Sequence, residues 1–347
     1  MLQNHNENQI GEANVIDHLD WLVCPACQGT LRFVHANLLC PLCNQSFGFD
    51  NGIPCLFWPT SIEKDVSLLV KEFYEKNPFP SYDALDTTDR LVELSRKGIF
   101  ARLLDNQISR TWLVLEVGCG TGQLSNFLGT AGRIVFGTDI CLNSLNMGQR
   151  FKLNNGLKTV YFIQMNLFKP VFTKRLFDLI ICNGVLHHTS DPFAGFVSIS
   201  ELLKPGGFIV IGLYNKFGRV WTDVRRGIFK LSKNRLQFLD PYLRRRDIGT
   251  GKKRIWFADQ YLNPHESKHS FDEVLGWFDK TDFEFINSIP KITKFAEFSQ
   301  HESLFRENAR GTYLDHFFVQ LRLALSGGRE GGFFIMIGRK KPYISGG

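Results

Sequence analysis

The 347 residues carry 41 Lys or Arg against 34 Asp or Glu, a formal charge of +7, and 44% of them are hydrophobic. This composition suits a soluble globular chain with room for two domains and a sizeable core, and it excludes a disordered or fibrous one. No apolar run reaches about 18 residues, so no transmembrane helix is expected. The polar opening MLQNHNENQIGEAN lacks an apolar signal core, so a cytoplasmic location is expected.

Residues 1–20 read as a mobile tail, followed by a small domain over 21–60. Of eight cysteines, four form Cys24-x-x-Cys27 and Cys40-x-x-Cys43, separated by a stretch of hairpin length. Cys55, Cys119, Cys141 and Cys182 stand singly. In a reducing compartment such pairs point to metal ligands rather than disulfides. Two thiolates on each of two tight turns can supply a tetrahedral four-sulfur site for zinc, closed and therefore structural. The alternative is four buried free cysteines. Phe47 to Pro54 continues as strand, turn and strand. From Cys24 to Phe57, including the Asn51-Gly52-Ile53-Pro54 ending, the segment resembles the zinc-ribbon family of small Trm112-like proteins. The resemblance implies association with, or fusion to, a methyltransferase. Removing the metal from so small a segment should unfold residues 21–58 while leaving ligand binding by the rest largely intact.

Residues 61–110 read as a helical connector. Ile62 to Tyr74 has helical periodicity and stops at Asn77-Pro78-Phe79-Pro80, where two prolines forbid continuation. The segment reads equally as a lid, bringing Phe73, Tyr74, Phe79 and Tyr82 to a ligand entrance, or as a surface linker. Leu91 to Leu104 reads as one further helix.

The apolar run Trp112–Val117 enters Gly118, Gly120 and Gly122, which predicts a buried strand, a glycine turn and a helix from Gln123. Arg133–Ile140 is a second strand ending in Asp139, placed to accept hydrogen bonds from both hydroxyls of a ribose. Thr159–Gln164 is a third strand, followed by Asn166 and Leu167. Phe177–Asn183 is a fourth, leading into GVLHHTSDP, and Phe208–Leu213 a fifth after Leu202-Leu203-Lys204-Pro205-Gly206-Gly207. The motif Glu116-x-Gly118-x-Gly120-x-Gly122 with these successors resembles the class I S-adenosylmethionine-dependent methyltransferases over residues 111–215. The resemblance implies a Rossmann-like α/β fold of seven strands in the order 3-2-1-4-5-7-6, with the last strand antiparallel. It implies S-adenosyl-L-methionine held by Glu116, Gly118, Cys119, Gly120, Gly122, Asp139, Ile140, Asn166, Leu167 and Asn183. Asn166 stands where the family often has Asp for the adenine amino group. A nicotinamide-dependent dehydrogenase shares the strand, turn and acid, but its glycine spacing differs.

The methyltransferase domain is expected over 111–345, with substrate-cap insertions at about 216–270 and 291–330. Between Lys216 and Arg254 thirteen Lys or Arg meet three Asp, a net +10 from 13 − 3, so the remainder of the chain carries −3 from 7 − 10. Interleaved aromatics allow three readings: an RNA surface, a basic helix on a membrane or lipid-like substrate, or a cap with a solvated basic face. His265-Glu266-Ser267-Lys268-His269 matches H-E-x-x-H, but Pro264 precedes it and Ser270–Glu273 follows as a capping box, which argues against a helical zinc protease site and for a cap position of His265, Glu266 or His269 facing the active site. Phe271–Lys280 is predicted as a helix, Phe283–Ile289 and Gly331–Lys340 as the last strands, and Lys291–Leu325 as a helical insertion. The candidate catalytic residues are His187, His188 and Tyr214, with Asn215 as a further orienting group. The favoured acceptor is a small molecule within the cap. The alternatives are RNA bound through 216–254, and a module that keeps the fold without turnover.

Overall fold

The computed structural model describes residues 15–60, 66–80, 82, 85–246, 248–325 and 332–342. Residues 1–14 of the expected tail, the Ile62 start of the connector helix and the Gly331 start of the last strand lie outside them. In chain order the cysteine segment contains β1 (Arg32–Val34), β2 (Asn37–Leu39), β3 (Ser46–Phe47), β4 (Phe49–Asp50) and β5 (Ile53–Pro54). Helices α1 (Ser67–Lys76), α2 (Thr88–Lys97) and α3 (Ile99–Gln107) follow. Then come β6 (Val114–Val117), α4 (Gln123–Gly129), β7 (Val135–Asp139), α5 (Leu142–Asn154), β8 (Val160–Gln164), β9 (Phe177–Asn183), α6 (Pro192–Ser200) and β10 (Leu203–Tyr214). The chain ends with α7 (Val220–Leu231), α8 (Thr250–Phe257), α9 (Phe271–Lys280), β11 (Phe283–Ile289), α10 (Tyr313–Leu325) and β12 (Phe333–Lys340).

The described strands of the large sheet run in the order β8-β7-β6-β9-β10-β12-β11, which is 3-2-1-4-5-7-6 when they are numbered along the chain. Strand β6 pairs in parallel with β7 and β9, and β7 with β8, whereas β12 is antiparallel to both β10 and β11. The chain forms two compact units: residues 1–62, 82–181 and 198–204, and residues 63–81, 182–197 and 205–347.

In the first unit, β6, β7 and β8 are buried along almost their whole length, as expected of parallel strands covered on both faces. Arg133, at the entry to β7, is buried with all five of its N–H donors used. It bonds the Asp105 carboxylate and the carbonyls of Asp105, Ile108, Ser109 and Leu128, and so caps the end of α3 with a cation. The single helix expected over Leu91–Leu104 is two helices, because the chain turns extended at Gly98. The expected tail is ordered from Val15: residues Val15–Trp21 form short 3₁₀ turns, with the His18 ring stacked on Trp21 at 4.3 Å and edge-on to Tyr161 at 4.8 Å. Ring packing onto the buried Tyr161 fixes a segment whose sequence looked polar.

The cysteine segment is not independent. Val23 N donates to Val171 O at 2.8 Å, and the Gln28 side chain donates to Pro170 O at 3.1 Å. Cys55 forms a parallel bridge with Gln164, on the outer edge of β8. Asn146 donates to the Asp50 carboxylate at 2.6 Å, and Gln149 to Asn51 O at 3.1 Å. The segment thereby covers a sheet edge that would otherwise expose unpaired backbone groups. These contacts tie the segment to the rest of the first unit.

In the second unit, α9 starts at Ser270, whose hydroxyl accepts from Glu273 N at 3.2 Å. The capping box is only half formed, because the Glu273 carboxylate accepts from His269 Nδ1 at 2.7 Å. The insertion expected to be helical over 291–325 is helical only in α10. Residues 291–312 are mostly irregular and held by the buried ammonium of Lys291, which reaches Asn287 at 2.8 Å, Asn308 at 2.9 Å and Glu302. A buried cation with three oxygen partners replaces the hydrogen bonds that a helix would have supplied.

Candidate functional site

In the first unit the strand β6 delivers its chain into a turn in which Gly118, Gly120 and Gly122 all have positive φ, at 67°, 54° and 71°. A side chain at Gly122 is doubly barred, since its Cβ would lie 2.3 Å from the Phe162 ring. Asp139, at the end of β7, holds this turn: its Oδ2 accepts from Gly120 N at 2.8 Å and its Oδ1 from Cys141 N at 2.8 Å. Cys119 N donates to Thr138 O at 2.9 Å, and the Cys119 thiol is buried. Glu116 is buried behind the turn and accepts from the Ser125 hydroxyl on α4. Burial pushes its carboxyl up to about 7, against the hydrogen bonds from Ser125.

The remaining candidates at this edge are engaged by the protein. Ile140 O accepts from Gln164 Nε2 at 3.0 Å, and Leu167 O from the Ser198 hydroxyl at 2.8 Å. Asn166 is buried; its Nδ2 donates to Trp58 O at 3.1 Å and its Oδ1 accepts from Phe168 N at 3.1 Å. Its amide thus fastens the exit of the cysteine segment to the end of β8. Tyr82, from the expected lid, accepts from Asn126 Nδ2 at 2.9 Å.

The four sulfurs of Cys24, Cys27, Cys40 and Cys43 lie within 4.8 Å of one another, with Cys24–Cys43 at 3.6 Å and Cys27–Cys40 at 3.5 Å. Among the described residues this is the one group with the makings of a metal site. His265, Glu266 and His269 do not form another. They lie outside any helix, and His269 is bonded to Glu273 and, at 2.8 Å, to Ser267.

In the second unit, His187 and His188 form a short 3₁₀ turn after β9, and both are buried. His188 Nδ1 lies 2.7 Å from His265 O. A carbonyl only accepts, so Nδ1 carries the proton and Nε2 the lone pair. Burial lowers the pKa of both imidazoles, keeping them neutral near pH 7, although Asp259 opposes this at His188. The His187 ring lies 4.4 Å from the Tyr214 ring, and its Nδ1 is buried without a partner among the described residues. Asn183 Oδ1 is likewise buried without one, beside Gly212, where a Cβ would sit 1.8 Å from it.

Tyr214 is held from three sides. Gln260 Nε2 donates to its hydroxyl at 2.7 Å, and the Arg219 guanidinium lies 3.7 Å from its ring centre. Burial raises its phenol pKa, so it remains protonated. Arg219 is fully buried and bonds both oxygens of Glu266, at 3.1 and 2.6 Å. From the connector helix, Tyr74 donates to Asp259 at 2.8 Å and accepts from Asn263 at 2.9 Å. Asn215, expected to orient an acceptor, instead caps the following turn through Phe217 N and Gly218 N. Sequence reasoning placed Arg219 in a basic surface and did not single out Gln260 or Asp259. The one signal was the acid Glu266, two residues before Lys268 and followed by a helix cap.

Residues 115–211 match the methyltransferase domain family. The ubiquinone biosynthesis O-methyltransferase of Haemophilus ducreyi is 33% identical over 108 residues, covering 30% of this chain and 45% of its own. That of Pasteurella multocida is 33% identical over 120 residues, covering 32% and 50%. An uncharacterized protein of Synechococcus is 26% identical over 197 residues, covering 50% and 47%. The chain thus spans about half the length of the curated relatives it matches. A solved structure of PKMT2 from Rickettsia typhi in complex with AdoHcy aligns with a TM-score of 0.49 at 15% identity, covering 72% of this chain and 52% of that one.

Proposed function

We propose that the chain is an S-adenosylmethionine-dependent methyltransferase acting on a small-molecule hydroxyl, stabilised by one structural zinc ion and working in the cytoplasm. The observation that carries this reading is the methyltransferase-domain match over 115–211, the segment in which Asp139 is bonded to the glycine turn. The residues fit the cofactor. In this reading the Asp139 carboxylate, which accepts from Gly120 N and Cys141 N, also accepts from a ribose hydroxyl, since a carboxylate offers about four lone-pair sites. Asn183 Oδ1, buried without a partner among the described residues, is an acceptor for an N–H donor. The chain Glu116–Ser125 backs the turn, while Cys119, Ile140, Asn166 and Leu167 shape its surroundings. In this reading Asn166 acts through Trp58 and Phe168 rather than by accepting from adenine.

When bound, the cofactor supplies an activated methyl group. The protein must then orient an acceptor, exclude water and take its proton. His188 Nε2, with its tautomer fixed by the His265 carbonyl, takes that proton from a hydroxyl. Tyr214, clamped by Gln260 and Arg219, presents a fixed polar wall, and His187 supports its ring. A small hydroxylated acceptor is supported by the O-methyltransferase names of the relatives. RNA gains no such support, because Arg219, Arg225 and Arg226 of the basic segment bond Glu266, Tyr261 and Gln260 inside the fold. Measured turnover separates the enzyme from a module without activity.

The thiols fit zinc as well. Zn–S bonds of about 2.3 Å in a tetrahedron place sulfurs about 3.8 Å apart, close to the spacings here. This supports the zinc-ribbon reading of residues 21–60.

Two outcomes test the site. Asp139→Ala should weaken S-adenosylmethionine binding roughly tenfold to a hundredfold, because charge-assisted hydrogen bonds are lost and the glycine turn is loosened. Calorimetry reads this directly, and unchanged affinity removes Asp139 from the site. With His188 as base, kcat/KM should hold steady through neutral pH and fall only on acidification below the ordinary histidine value, since burial lowers the pKa of the free enzyme's imidazole. His188→Gln should abolish that limb, and a variant that keeps it rules the base out.

A further inference from the structure

Helix α10 is inverted relative to the usual surface helix. Its buried residues are polar: His316 bonds Asp272 at 2.6 Å and Arg310 O at 2.8 Å, and Gln320 accepts from Asn215 at 3.1 Å. Its apolar residues face out, with Tyr313 80%, Leu314 69%, Phe317 54% and Leu325 76% exposed. A soluble helix places such a stripe against the core. Helix α7 buries Phe229 but adds four more exposed apolar side chains, Val220, Trp221, Val224 and Leu231. The helices meet where Trp221 Nε1 donates to Ala324 O at 2.8 Å. Beyond α10 the surface continues to Phe295, 88% exposed, through the Lys294 ammonium, which lies 4.7 Å from the Phe318 ring and 4.9 Å from Phe295.

Cations border this apolar face. Exposed Lys216, Lys230 and Arg322 are chain neighbours of Phe217, Leu231 and Leu321. Of the acids on the two helices, Asp223 pairs with Lys268 and Arg226, and Asp315 is turned onto Thr312 N and Lys294 N. Glu297 is the exposed acid beside Phe295. An apolar aromatic face with a basic rim has the chemistry of an interfacial helix, whose apolar side enters the headgroup boundary while its cations meet anionic lipid. A second copy is disfavoured, because two-fold pairing would bring the basic rim against itself. We propose that α7, α10 and the Phe295 loop form a docking surface for an anionic bilayer. The proposal does not depend on methyl transfer, and its readout is independent of activity.

Flotation of the full chain with phosphatidylcholine–phosphatidylglycerol vesicles should carry it to the lipid fraction. Vesicles of phosphatidylcholine alone, or high salt, should carry much less. Phe317→Ser/Leu321→Ser should reduce partition by about tenfold or more, since two exposed apolar side chains lose their place in the interface. Lys230→Glu/Arg322→Glu should abolish the preference for anionic lipid. Both variants should keep the parent melting temperature, as surface changes do. Equal flotation of the parent and the Phe317→Ser/Leu321→Ser variant overturns the proposal. So does absence of flotation combined with a dimer, by sedimentation equilibrium, that the same variant dissociates, which would assign the face to a second copy.

Discussion

Glu266→Ala is expected to destabilise the protein by about 3–5 kcal/mol, because it leaves the buried Arg219 guanidinium without its carboxylate. Arg219 cannot shed its charge, and Glu266 meets it through two hydrogen bonds and Arg226 through a third. Burial alone would raise the Glu266 pKa, but the hydrogen bonds from Arg219 outweigh it and hold the carboxyl below its ordinary 4.5. A depressed folded value adds stability above pH 4.5 that is lost as pH falls through the lowered value. The parent should therefore weaken in acid more steeply than Glu266→Gln, which no longer titrates there. Urea midpoints at constant slope measure both effects. A loss under about 1 kcal/mol for Glu266→Ala would show that the pair is no more than a surface contact.

Removal of metal from the four-cysteine site is expected to act well beyond residues 21–60. Metal binding in such a segment is folding free energy. The segment reaches the end of β8 through Trp58 O and Asn166, and through Cys55 and Gln164. Strong chelation, or Cys24→Ser/Cys27→Ser, should lower both the melting temperature and S-adenosylmethionine affinity. Mass spectrometry under native conditions should find about one zinc per chain in the parent. A metal-free preparation that melts like the parent and binds the cofactor equally would refute a structural metal.

The strands of the large sheet were legible because continuous apolar runs such as Val114–Val117 are buried on both faces, and their glycine and acid endings mark the turns. What was not legible depends on pairs distant in sequence. Nothing local announces that Asp50 will meet Asn146, 96 residues on, or that Asn166 will be spent on Trp58, 108 residues back. The same holds for Arg133 and Arg219, which as isolated letters count as surface charge but are buried once carbonyls or Glu266 surround them. Periodicity identifies the residues of α10 that share a face. It does not say whether that face points inward, and here His316 and Gln320 find polar partners inside while Phe317 stays outside. Helix breaks were missed where one residue decides, as at Gly98.

Equilibrium binding of radiolabelled S-adenosylmethionine to the zinc-loaded protein, with NAD as competitor, tests the central reading most directly. Saturable binding of one molecule per chain, unaffected by NAD and weakened by Asp139→Ala, is the predicted result. Absence of saturable binding, or displacement of the label by NAD, would contradict it.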